Sequence, residues 1–115
     1  MIRLNIEVET DGDFTLDIPT PKNAREYKIK KFSGGYEVRV DFYQKEGVIQ
    51  EHIVSFLESI SIDSSKDWHK EQLKEEIENY KTLMEKEGLR SYGDMLGGNW
   101  QFLVSLNRIT EEPWL

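Results

Sequence analysis

Cysteine is absent from the chain, which excludes disulfides, thiolate nucleophiles and the usual structural zinc sites. Cations are scarce: 15 Lys and Arg stand against 22 Asp and Glu, leaving a formal charge of -7. That balance argues against nucleic acid as a partner, because neutralising phosphates needs clustered cations. A cationic protein fits it better. No apolar run approaches the roughly 20 residues that span a bilayer, and the first residues open into a strand pattern instead of a signal peptide. The expectation is a soluble, cytoplasmic protein with no membrane partner.

Chemical motifs are equally sparse. Histidine occurs only as His52 and His69, and neither has the His-x-x-x-His or His-Glu-x-x-His spacing that sets two ligands on one helical face. There is no Gly-x-Ser-x-Gly elbow, no phosphate loop ending in Lys-Ser or Lys-Thr, and no Gly-x-Gly-x-x-Gly. Asp11-Gly12-Asp13 looks like part of a calcium loop, but position twelve counted from Asp11 is Lys22, which cannot coordinate a cation. The sequence therefore assigns no catalytic residue, no cofactor and no metal ligand.

What is present begins with alternation. Ile2, Leu4, Ile6 and Val8 alternate with Arg3, Asn5, Glu7 and Glu9, and Phe14, Leu16 and Ile18 alternate with Thr15 and Asp17. Period two places the apolar sets on one face of a strand pair. A loop at Thr10-Asp11-Gly12 predicts a hairpin with Val8 opposite Phe14, Ile6 opposite Leu16 and Leu4 opposite Ile18. Its other face would gather Glu7, Glu9, Asp13 and Asp17, with Glu9 across from Asp13. Like charges in register destabilise a sheet. The four acids are thus the candidate partner-binding surface, against the plain alternative of a solvated face.

After the turn-forming Pro19-Thr20-Pro21-Lys22-Asn23, Tyr27 and Ile29 lead into Gly34-Gly35, and Tyr36, Val38, Val40 and Phe42 lead out. A two-residue Gly-Gly loop would set Ile29 opposite Val40 and Tyr27 opposite Phe42, with Lys28 facing Asp41 and Lys30 facing Arg39. Residues 48–62 fit either a strand pair or a helix carrying Ile53, Leu57 and Ile60. Their β-branched content and the preceding hairpin spacing favour strand.

A long helix follows. Ser64 and Ser65 offer N-cap oxygens, Ser64 and Asp67 have capping-box spacing, and Gly88 is placed to close the run. Leu73, Ile77, Tyr80 and Met84 form one apolar stripe, joined by Leu83, and mixed Lys and Glu cover the remainder. Ser91-Tyr92-Gly93-Asp94 repeats the start signal and predicts a single helical turn ended by Gly97-Gly98. Trp100, Phe102, Val104 and Leu106 then alternate as a strand. In the tail, Trp114 packs on the same domain or anchors a partner.

These readings add up to one α+β domain over residues 1–115: an antiparallel sheet of about five or six strands built from hairpins, with one long helix packed on one face. In size, charge, lack of cysteine and the acidic face of Glu7, Glu9, Asp13 and Asp17, the chain is similar to the small acidic immunity proteins and antitoxins that neutralise bacterial nuclease toxins. The resemblance implies a stoichiometric inhibitor that covers a toxin's basic active site and performs no catalysis itself. The alternatives are an adaptor or assembly subunit, for example of phage origin, and a small enzyme with an unrecognised carboxylate or histidine site.

Overall fold

A computed structural model describes residues 1–10, 14–32, 34–43, 49–96 and 100–108. The elements run β1 (Ile2–Glu9), β2 (Phe14–Asp17), β3 (Ala24–Phe32), β4 (Gly35–Phe42), α1 (Ile49–Ser59), β5 (Ser61–Ser64), α2 (Asp67–Glu87), β6 (Tyr92–Leu96) and β7 (Trp100–Arg108). Five strands form one antiparallel sheet in the order β3-β4-β1-β7-β6, and β2 pairs with β5 in a second, two-stranded sheet. The α+β class and the antiparallel sheet agree with the sequence pattern.

The strand pairing differs from that pattern at its first hairpin. β1 lies between β4 and β7, with Ile6 registered against Val38 and Val104, while β2 sets Leu16 against Ile62 of β5. Alternation correctly separated buried from exposed positions: Ile2, Leu4, Ile6, Val8, Phe14 and Leu16 are buried. It could not choose the neighbour. β4 and β7 each offer β1 eight registered positions, against the four residues of β2, so pairing with them buries more apolar surface. The expected pairing of Leu4 with Ile18 therefore fails, since Leu4 registers with Val40 and Leu106; Glu9 registers with Gly35 and Gln101, and its expected partner Asp13 lies outside the described residues.

The β3–β4 hairpin exists with a register displaced by two positions. Tyr27 faces Val40, Ile29 faces Val38 and Phe32 faces Gly35, and a shift of two preserves which face each side chain takes. Lys28 accordingly meets Arg39 and Lys30 meets Glu37. Gly35 is needed for close approach: a Cβ there would stand 2.7 Å from the Phe32 ring and 2.8 Å from the Val8 carbonyl oxygen.

Residues 49–59 are helical, which overturns the strand preference. Ile49, Ile53, Phe56 and Leu57 are buried on one face of α1, while Gln50, Glu51, Ser55 and Glu58 are exposed; this is a helical period that β-branching had masked. The helix stops where the Ile60 amide donates to the Leu57 carbonyl, and Ile62 then turns inward from β5. Residues 92–96 form a strand in place of the expected helical turn, because pairing with β7 satisfies backbone groups that one isolated turn could not. Gly97 and Gly98 lie outside the described residues, as does the tail with Trp114.

α2 ends at Glu87, and the Gly88 amide donates to the Met84 carbonyl at 2.9 Å. Its start is not a capping box: Lys66 holds the N-cap position without a side-chain cap, and Ser64 Oγ accepts instead from the Lys66 amide. Leu73, Ile77, Tyr80 and Met84 are buried as the stripe requires. Replacing Ile77 by valine should cost about 0.5–1.5 kcal/mol in a urea melt, whereas alanine at exposed Glu78 should change stability by less than about 0.5 kcal/mol.

Candidate protein-docking face

One face of the five-stranded sheet carries the core; the other carries the polar residues of β1 and their neighbours. Glu7, on β1, is exposed and registers with Glu37 of β4 on one side and Leu103 of β7 on the other. Glu9 lies two positions on along the same face and is partly buried. No ion pair among the described residues includes Glu7, Glu9 or Glu37. Asp17 is exposed, but it belongs to the β2–β5 sheet opposite Ser61. The structure thus places two of the four candidate acids on one strand face, puts the third on a different sheet, and leaves Asp13 undescribed.

Glu37 was missed in the sequence because the pairing of β1 with β4, in place of β2, is what brings it beside Glu7. Around this pair the face is graded in charge. Arg3 forms a two-pronged pair with Asp41, Nε to Oδ1 at 2.8 Å and Nη2 to Oδ2 at 3.2 Å. Hydrogen bonding to Arg3, opposed by burial, holds the Asp41 carboxyl below its ordinary range. Toward β3 stand Lys28, Lys30 and Arg39, with Arg39 3.6 Å from Glu26. Toward β7 the neighbours are uncharged: Gln101, Leu103 and Ser105.

Two buried polar groups also escaped the sequence reading, although both sit on the helical stripe, four residues before Leu73 and three after it. His69 is fully buried; its Nδ1 lies 2.7 Å from Ser64 Oγ and its ring stacks on Trp100 with centroids 5.4 Å apart. Glu76, 2% exposed, accepts a hydrogen bond from the Tyr92 hydroxyl at 3.1 Å. Burial first, then a hydrogen bond and charge repulsion from Asp94, push the Glu76 carboxyl up to about 7. Such a pair can share a proton between α2 and β6.

His52 contacts Asn23 through Nε2 at 3.0 Å and is remote in sequence from the acids discussed above. Among the described residues no three His, Asp or Glu side chains converge as metal ligands would, and no helix is long and apolar enough to cross a membrane. No protein-family model matches this chain, and comparison with curated proteins and with solved structures gives no match.

Proposed function

We propose that the chain is a small acidic protein-binding protein of the bacterial immunity or antitoxin type, which neutralises a cognate toxin by covering its basic, nuclease-type active-site surface. The observation that carries this reading is the Glu7–Glu37 pair: two exposed carboxylates registered across adjacent strands on the polar sheet face, neither in an ion pair among the described residues, with Lys30 in register on the far side of Glu37. Like charges so placed weaken the sheet by a few tenths of a kcal/mol, and a cationic partner would convert that cost into attraction. Glu9 extends the patch, and Leu103 beside Glu7 supplies apolar contact. Asp17, with the net charge of -7, adds to long-range steering. Inhibition on this reading is steric and electrostatic and uses no cofactor.

The test starts with the tagged chain purified from its native cells together with any stoichiometric cationic polypeptide. Association with that partner should slow as salt rises, since steering is screened over about 8–10 Å near physiological ionic strength. Reversing Glu7, Glu9 and Glu37 to lysine should weaken binding by at least about tenfold, because like charges then meet at the interface. These side chains project from the face opposite the core, so circular dichroism should show the fold unchanged. A partner that binds the reversed chain equally well would exclude this face. A partner with no toxicity for the chain to suppress would favour the adaptor reading.

A further inference from the structure

β3 is the longest element at a sheet edge: its nine residues make about 30 Å of strand at roughly 3.3 Å per residue. β4 pairs with one side of it, and among the described residues nothing pairs with the other. An unpaired edge presents a row of backbone N–H and C=O groups that another extended chain can complete. The two side-chain faces of this edge differ. Tyr27 and Ile29, in register with Val40 and Val38, point to the core side of the sheet yet each remains 43% exposed. Lys28 and Lys30 point to the opposite side, and Lys30 forms no ion pair among the described residues.

In a chain with seven more acids than bases, this strand holds four cations, Arg25, Lys28, Lys30 and Lys31, against the single acid Glu26. That composition discriminates among occupants. A second copy of β3 would bring its cations against these, and like charges in register oppose pairing. A lysine-rich strand meets the same repulsion. An acidic strand with alternating apolar residues satisfies both faces together, its carboxylates beside Lys28 and Lys30 and its apolar side chains beside Tyr27 and Ile29.

We propose that the free edge of β3 is a second docking surface, which takes an extended acidic segment of another protein as an added antiparallel or parallel strand. The inference does not depend on the acidic patch of β1, and its partner segment has the opposite charge. Affinity would come from main-chain hydrogen bonds and selectivity from the alternation of carboxylate and apolar side chains.

The experiment uses the full chain labelled with ¹⁵N and two synthetic nine-residue peptides, one alternating valine with glutamate and the other valine with lysine. The glutamate peptide should bind saturably and protect alternate β3 amides from hydrogen exchange, because alternate residues direct their backbone groups outward. The double variant K28E/K30E should weaken that binding by about tenfold or more, with the amide signals of β1 and β7 unchanged as the check on folding. Charge reversal at Glu7 and Glu9 on β1, a strand that does not pair with β3, should leave peptide binding as it was, so failure of this inference is distinguishable from failure of the function proposed above. Absence of binding, equal binding of the lysine peptide, or protection confined to other strands would overturn the proposal. Protection of β3 that rises with protein concentration alone would also overturn it, by identifying a second copy as the occupant.

Discussion

Trp100→Ala should lower stability by about 3–5 kcal/mol, a large share of the 5–15 kcal/mol that holds a typical protein folded. Trp100 opens β7 and is completely buried. Its ring lies against His69 at an interplanar angle of 17°, with Trp68 edge-on at 6.0 Å. Alanine would remove the indole and leave a cavity bounded by a helix on one side and the sheet on the other, which rigid elements cannot easily close. His69 would lose its stacking partner as well. Among the described residues the indole Nε1 has no hydrogen-bond partner, so Trp100→Phe forfeits no hydrogen bond to them and should cost clearly less. Urea denaturation of the two variants checks this; equal losses would mean that the ring contributes little beyond its first carbon.

The second large effect is a pH dependence of unusual sign for a carboxyl group. In the folded protein Glu76 titrates near 7, above its ordinary 4.5, with burial as the first cause and Asp94 as the next. Between these values the folded chain holds a proton that the unfolded chain has released. Stability from this group is therefore complete below about 4.5, falls as pH rises toward 7, and is level above it, a loss on the order of 3 kcal/mol. Asp41, held low by Arg3, acts in the opposite direction, but only as pH falls below the ordinary carboxylate range. Glu75 adds repulsion from α2, and Tyr92 donates its hydroxyl to Glu76. Glu76→Gln should abolish the decline, because glutamine can accept from Tyr92 and donate to Asp94 without ionising. The variant should match wild type near pH 5 and exceed it near pH 8 in denaturant melts. A wild-type profile that rises across this window would refute the buried, proton-sharing arrangement.

Much of the fold was legible because periodicity reports burial. The alternation of Ile2, Leu4, Ile6 and Val8, the stripe of Leu73, Ile77, Tyr80 and Met84, and the run from Trp100 to Val104 each identify a buried face. The same stripe could have revealed His69 and Glu76, since positions three and four residues from Leu73 share its face. The polarity of Glu76 drew it into the solvated reading of the helix. For residues 49–59 two signals disagreed: β-branched composition pointed to strand, while the spacing of Ile49, Ile53, Phe56 and Leu57 fitted the helix that forms. Spacing prevailed, because helical stability in a folded protein comes chiefly from packing an apolar face.

By itself the sequence determined the class, the long helix closed at Gly88, the buried faces of β1, β2, β4 and β7 and the acidic balance, all consequences of local geometry and composition. Only tertiary structure decided that β1 sits between β4 and β7, that β2 joins β5, and that Glu7 meets Glu37 while Asp17 lies on another sheet. The physical reason is that a strand's pattern specifies which side is apolar but leaves its two hydrogen-bonding edges identical in kind. Which edges join depends on the length and apolar surface of every competing strand, and that comparison exists only once the whole chain is assembled.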